Sequence, residues 1–341
     1  MTAVAKPGDL REAARLIRGG ELVAFPTETV YGLGADASNP DAVRDIFRAK
    51  GRPSDNPLIA HIADVSMWPA LARDIDDRAL SLADRFWPGP LTIVLPRTDA
   101  VPDIVTAGLD TVGVRVPAHP VALALIRESG RALAAPSANR SGKPSPTTAK
   151  AVLDDMDGVI PMILDGGPCR VGMESTVLDM SQSTPIVLRP GGVTVEALRA
   201  ILPDVIVDPS ALAPLADGQR AASPGMRHRH YSPSIPLSVV TGLDRVNALR
   251  SLYDDALAKG LSPILLLCDE SAAKVPPRRC IALGSYNDLE RVSSRLFGAL
   301  RDLDRSGASI AYAESFPAEG AGLALMNRLL RAAGFSVINT D

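Results

Sequence analysis

Two short polar stretches carry residue types that can do chemistry. The first is Lys50-Gly51-Arg52-Pro53-Ser54-Asp55-Asn56-Pro57-Leu58. Lys50 in a last helical turn complements the helix dipole, and Gly51 reads as the C′ residue of that helix. This accounts for Lys50 and Gly51 but not for Arg52 and Asn56, which sit in a Pro-braced loop beside an apolar strand. Two cations and an amide on a stiff loop suit a polyanion such as a triphosphate. The second stretch, Ala135-Pro136-Ser137-Ala138-Asn139-Arg140-Ser141-Gly142, leaves a buried apolar strand. Its hydroxyl and amide groups serve either as turn formers or as contacts at a strand end, a common ligand site in α/β domains.

Other motifs point away from familiar chemistries. Gly32-Leu33-Gly34-Ala35-Asp36-Ala37 matches the dinucleotide fingerprint formally, but Ser-Asn-Pro intervenes before the next helix, where the fingerprint needs its glycines to open that helix directly. No P-loop sequence occurs. His61 lies at an alternating position of a strand and His119 precedes a proline; both read as structural residues. His228 and His230 are spaced to share one side of an extended segment, yet no third metal ligand accompanies them. No Ser-His-Asp or Cys-His order suggests a nucleophile, so the chemistry is expected to rest on positioning and charge.

The elements that must hold these loops alternate between helix and strand. Leu10, Ala13, Ala14 and Ile17 recur at helical spacing up to Gly19-Gly20, and residues 21–26 form a short apolar strand. Asn39-Pro40 reads as an N-cap and N1 pair for a helix that buries Val43, Ile46 and Phe47. Further strands are predicted at 91–95, 112–116, 132–135, 159–164, 175–179 and 185–189, with helices at 77–86, 120–129, 147–154 and 194–201. Such a mixture describes one α/β domain with a large sheet over residues 1–203. Residues 204–234 are proline-rich and aperiodic, and read as a linker. Strands at 235–240, 263–268, 279–283 and 309–313 then alternate with helices at 243–258, 287–304 and 321–333. That pattern predicts a small Rossmann-like parallel sheet over residues 235–341.

A chain of 341 residues suits two such domains, and 46% apolar with 22% charged residues suits an ordinary globular interior. A formal net charge of −3 gives no support to a protein that coats nucleic acid, although local basic patches stay compatible with weak RNA contact. Cys169, Cys268 and Cys280 are odd in number and form no CxxC pair, so reduced, incidental thiols are expected. The N-terminus lacks a signal-peptide apolar region and no run of 18 apolar residues occurs, which predicts a cytoplasmic protein without membrane contact.

Taken in order, Phe25-Pro26-Thr27-Glu28-Thr29-Val30-Tyr31-Gly32-Leu33, Lys50-Gly51-Arg52-Pro53 through Asn56-Pro57-Leu58, Pro136-Ser137-Ala138-Asn139, and Ser223-Pro224-Gly225-Met226 with His230-Tyr231 resemble the long threonylcarbamoyl-AMP synthases. These carry a YrdC-type domain, a twisted open sheet, followed by a second domain. The resemblance implies that L-threonine, bicarbonate and ATP, with Mg2+, give threonylcarbamoyl-AMP and pyrophosphate. It implies as a partner the complex that transfers the threonylcarbamoyl group to adenosine beside the anticodon of certain tRNAs. Carried over by position, the threonine pocket is Thr29, His61, Arg115, the Ala135 backbone and Ser175. The nucleotide is held by Arg52, Asn56, Thr111, Ser137, Asn139, Ser145, Arg189 and Tyr231, with Lys50 and Arg52 as the catalytic cations and no metal ligand from the protein. Residues 223–233, which combine Arg227, His228, Arg229, His230 and Tyr231, then read as a lid over the nucleotide. Two competing readings are a double-stranded RNA or tRNA binder and a carbamoyl-phosphate enzyme. The latter's acylphosphatase and zinc-finger segments have no counterpart here.

Overall fold

The computed structural model describes residues 1–214, 223–224, 231–275 and 278–340. The first 214 residues build one mixed sheet from β1 (Ala3–Ala5), β2 (Val23–Phe25), β3 (Gly32–Asp36), β4 (Ile59–His61), β5 (Leu91–Pro96), β6 (Thr111–Arg115), β7 (Leu133–Ala135), β8 (Met162–Leu164), β9 (Thr176–Asp179), β10 (Ile186–Arg189) and β11 (Ile206–Val207). Their order is β1-β8-β2-β3-β7-β4-β6-β5-β9-β10-β11. A second sheet has the order β14-β13-β15-β12-β16, from β12 (Leu237–Thr241), β13 (Pro263–Leu267), β14 (Cys280–Ala282), β15 (Ile310–Glu314) and β16 (Val337–Asn339). Every pair in it is parallel. The α/β class and the open-sheet-plus-parallel-sheet architecture are therefore as the sequence implied.

The helix stops and starts follow the local chemistry. Asn39 caps the helix Pro40–Lys50 by accepting from the amides of Asp41 and Ala42. Gly51 closes it in the left-handed region at φ 62°, as the C′ reading required. The helices Asp77–Phe86 and Pro120–Ser129 match the expected spans. The apolar faces of Pro40–Lys50 and Asp77–Phe86 meet the sheet in one core with Leu58, Trp68 and Leu91, and that of Pro120–Ser129 packs in a second cluster with Ile17, Phe25 and Leu133.

Three features differ from the sequence reading. Gly32-Leu33-Gly34-Ala35-Asp36, to which the sequence assigned no element, is strand β3, antiparallel to β2. Its glycines make room for a neighbour: a Cβ on Gly34 would lie 2.7 Å from Phe25 Cε1. Within the segment 204–234, Ile206–Val207 pairs with β10, so the first sheet extends past residue 203. Strand β16 escaped the reading because three residues carry too little pattern. Residues 225–230, which hold Arg227, His228, Arg229 and His230, lie outside the described residues.

Helices of the second domain pack against the first. Arg301 on the helix Leu289–Arg305 donates to Asp155 Oδ2 (2.7 Å) and to the carbonyl of Pro144 (2.6 Å). Gly172 lets a first-domain loop touch that helix, since a Cβ there would lie 2.5 Å from Ser294 Cα.

Candidate active site

Strand register brings the predicted residues together. β4 and β6 are parallel with His61 opposite Arg115, and β7 on the other side of β4 sets Ala135 opposite Ile59. Ser137 follows β7 and bridges to Gly32. A cavity of about 60 Å³ opens there, lined by Thr29, His61, Arg115, Ala135 and Ser175 together with Arg52, Ser137, Asn139, Arg189 and Tyr231. Ten predicted residues from distant parts of the chain thus share one enclosure.

Arg115 is held rigidly. Its Nε donates to Gly89 O (3.0 Å), its Nη1 to Thr29 Oγ (2.9 Å) and its Nη2 to Glu28 Oε1 (2.5 Å). Glu28 also accepts from the Ala118 amide at 2.9 Å. A guanidinium has five N–H groups, so two remain to meet a carboxylate in the cavity. His61 is buried, and its pKa is pushed down to about 3 by desolvation and by the positive charge of Arg115. It is therefore a neutral imidazole at physiological pH, with Nδ1 3.2 Å from Ile59 O. Thr29 shares its hydroxyl with Thr27 at 2.8 Å, and Ser175 with the buried Thr92 at 2.8 Å.

Two further guanidinium groups line the same cavity. Arg189 Nη2 donates to Ser175 O (2.9 Å) and Oγ (3.2 Å), while Nη1 reaches Pro224 O at 3.1 Å. Burial lowers its pKa to about 10, helped by the charge of Arg328. Arg52 lies over the Phe47 ring at 5.9 Å and donates to Asn56 O at 3.2 Å; burial likewise brings it to about 10. The Asn56 side chain, oriented by its surroundings, accepts from Arg52 and donates to Ser223 O at 3.1 Å. Several guanidinium groups sit here in low dielectric with few carboxylates, an arrangement that favours a multiply charged anion.

Four predicted residues do not line this cavity. Lys50 is buried beneath the Ser137–Asn139 turn and donates to the carbonyls of Ser137 (2.5 Å) and Asn139 (2.6 Å). Desolvation, then repulsion from Arg52, holds its pKa well below the usual lysine value. Asn56 braces Arg52. Ser145 donates to Glu174 Oε1 at 2.6 Å. Thr111 faces a separate small void with Pro57, Thr92 and Pro224.

Sequence reasoning left out Glu28, Thr92, Glu174 and Arg328. Glu174 lines the cavity and takes a hydrogen bond from Arg328 Nε at 2.9 Å. Burial by itself would raise its pKa, but Arg328, Arg189 and the bond from Ser145 hold it below the ordinary value. Its signal was present, since it belongs to the Gly-rich loop preceding Ser175. Arg328 lies 154 positions further on and offered none.

The family described as "telomere recombination" matches residues 15–191, and that described as "threonylcarbamoyl-AMP synthase, C-terminal domain" matches residues 193–334. The threonylcarbamoyl-AMP synthase of Bacillus subtilis is 48% identical over 332 residues, covering 96% of this chain and 94% of that protein. This chain belongs to the threonylcarbamoyl-AMP synthase family. The synthase of Pyrococcus abyssi is 46% identical over 96% of this chain and 95% of its own length. The crystal structure of Pyrococcus abyssi Sua5 complexed with L-threonine superposes with a TM-score of 0.93 at 43% identity, covering all of both chains. The family therefore accounts for both sheets and for the segment between them.

Proposed function

We propose that this chain condenses L-threonine, bicarbonate and ATP into threonylcarbamoyl-AMP and pyrophosphate at the cavity between β4, β6, β7 and β9. The observation that carries the assignment of the site is its lining. A neutral histidine, a clamped arginine and the guanidinium groups of Arg52 and Arg189 share one enclosure.

In this reading the two unused N–H groups of Arg115 take the threonine carboxylate, with Thr29, Ser175 and the Ala135 backbone around the rest of the amino acid. His61, being neutral, adds no charge beside the amine, which must be unprotonated to attack CO2. Bicarbonate with a proton yields that CO2 and water, and the amine gives up a proton as the carbamate forms. The carbamate oxygen attacks the α-phosphorus and pyrophosphate leaves, so no protein nucleophile is used. Catalysis then comes from near-attack placement and from charge facing the phosphates, supplied by Arg52 and Arg189 with Ser137, Asn139 and Tyr231. Lys50 acts through the loop: its two bonds to carbonyls hold Ser137 and Asn139 in register, and Asn56 and Ser145 serve in the same way.

Mg2+ would be held by the triphosphate. Both oxygens of Glu28 are taken by Arg115 and the Ala118 amide, and both of Glu174 by Ser145 and Arg328. Among the described residues no group of three or more His, Cys, Asp or Glu could hold a metal ion.

A cavity of about 60 Å³ is far below the several hundred that a nucleotide-sized ligand fills. Pro224 and Tyr231 line it, and Arg189 already bonds the Pro224 carbonyl. Both contacts support reading the part of segment 204–234 around Pro224 and Tyr231 as a lid that opens to admit ATP and closes to exclude water, while Ile206–Val207 stays in the sheet. The segment separates a catalytic domain, residues 1–203 with the β11 extension, from the domain of residues 235–341. Arg115 and Arg189 are buried, which disfavours the RNA-binding reading because phosphate-tracking cations must be exposed. We place the enzyme in the cytoplasm, handing its adenylate to a tRNA threonylcarbamoyl-transfer complex; no helix among the described residues is long and apolar enough to cross a membrane.

The test is pyrophosphate release with each substrate omitted in turn, alongside mass detection of the adenylate. Release is expected only with threonine, bicarbonate and ATP together. Release that continues without threonine would sink the assignment.

A further inference from the structure

The residue that joins the two halves of this cavity comes from the other domain. Arg328, on the helix Gly320–Ala332, is fully buried. Its Nε donates to Glu174 Oε2 at 2.9 Å, and its Nη1 donates to the carbonyl of Pro190 at 2.6 Å and to Asn327 Oδ1 at 2.7 Å. Glu174 immediately precedes Ser175, and Pro190 immediately follows Arg189. One planar guanidinium therefore grips both loops that present Ser175 and Arg189 to the cavity.

These loops already touch. A Cβ on Gly191 would lie 2.3 Å from Glu174 O and 2.4 Å from Thr176 N, and Gly192 N donates to Glu174 O at 3.2 Å. Among the described residues Arg328 Nη2 has no acceptor although it is buried, and the guanidinium carbon stands 6.0 Å from the centre of the Tyr231 ring. The same helix holds the start of the lid segment, with Asn327 donating to Ala211 O and Arg331 to Ser210 O (3.0 Å). A buried donor left unpaired is costly. Its persistence beside Tyr231 fits a guanidinium fixed by what it must position.

We propose that Arg328 is a positioning residue for adenylate formation, setting Arg189 and Glu174 against the nucleotide, so that the second domain is part of the catalytic apparatus. The proposal rests on the reading of the site given above. Arg328 acts through Glu174, Pro190 and Tyr231 without touching substrate. Lysine cannot replace it, because one ammonium point charge does not span both loops in a fixed plane.

The test is steady-state pyrophosphate release by the full chain carrying Arg328→Lys or Arg328→Gln, with folding followed by circular dichroism. Both variants are expected to raise KM for ATP at least tenfold while KM for threonine stays within threefold, since Ser175 is also held by Thr92. A wild-type KM for ATP in either folded variant overturns the proposal. Loss of the fold in both also overturns it, leaving a structural bridge only. Arg115→Lys is measured in parallel: if its KM for threonine is unchanged, the reading of the site has failed, and the Arg328 result is judged on ATP alone.

Discussion

Each sheet of this protein brings strand ends together at one place, and the two places have opposite fates. In the first, β4, β6 and β10 end on His61, Arg115 and Arg189, whose polar groups face a cavity. In the second, β13 leads to β14 on one side and β15 to β16 on the other, the switch point at which α/β sheets commonly bind ligands. There Glu314 plugs the gap. It is fully buried, accepting from the Cys268 amide and from Ser271 Oγ at 2.7 Å, while Tyr286 and Phe316 stack beside it at 5.7 Å. Topology offers a place for chemistry in both sheets; the side chains at the strand ends decide whether it is open.

The sharpest way to break this contrast is to remove a charge from each crevice. Arg52→Ala and Arg115→Ala are expected to lower threonine-dependent pyrophosphate release by about 10²-fold or more, the order seen when a preorganised charge partner is lost. Glu314→Gln should leave turnover within twofold. Arg115→Ala has a second cost: it strands buried Glu28 and should destabilise the fold by about 3–5 kcal/mol, so Arg52→Ala is the cleaner kinetic probe. Equal kinetic losses at Glu314 and Arg52 would remove the distinction between the crevices.

A middle-sized effect concerns pH. His61 is depressed from 6.5 to about 3, chiefly by burial and then by Arg115. Its contribution to stability is present above about 6.5 and is lost as pH falls toward the folded value. Glu314 is raised above 4.5, chiefly by burial, so its contribution is present below that value and is lost as pH rises through the folded one. Urea melts from pH 4 to 7.5 should show His61→Gln flattening the acid-side loss and Glu314→Gln flattening the loss in the other direction. Parallel wild-type-like curves for both variants would contradict the burial argument. The smallest effect belongs to Ser271→Ala, which removes one donor from Glu314 and should cost about 1 kcal/mol with kinetics unchanged.

Much of the first crevice was legible before any coordinates. The helix start at Asn39 and its end at Gly51 read correctly because helix caps are decided within a few residues, and the helices Asp77–Phe86 and Pro120–Ser129 because apolar periodicity is local. Gly32 and Gly34 were set aside as a phosphate turn, but their close approach to Phe25 has no sequence signature, because a phosphate turn and a close backbone approach call for the same residue. Arg115 was expected as a carboxylate partner, yet its existing partner Glu28 lies 87 positions away and has no sequence signature. Lys50 was expected at the phosphates, but its reach to Ser137 O and Asn139 O exists only once β7 is laid against β3 and β4.

The sequence by itself thus determined the element types, the two-sheet architecture, the polar loops and the family. It could do so because caps, periodicity and motif order are properties of neighbouring residues. The tertiary structure alone decided which polar residues face the cavity, that Lys50 supports the loop from beneath, that Glu314 seals the second crevice and that Arg328 crosses between domains. Those outcomes depend on strand register and on desolvation, which arise only when segments far apart in the chain pack together.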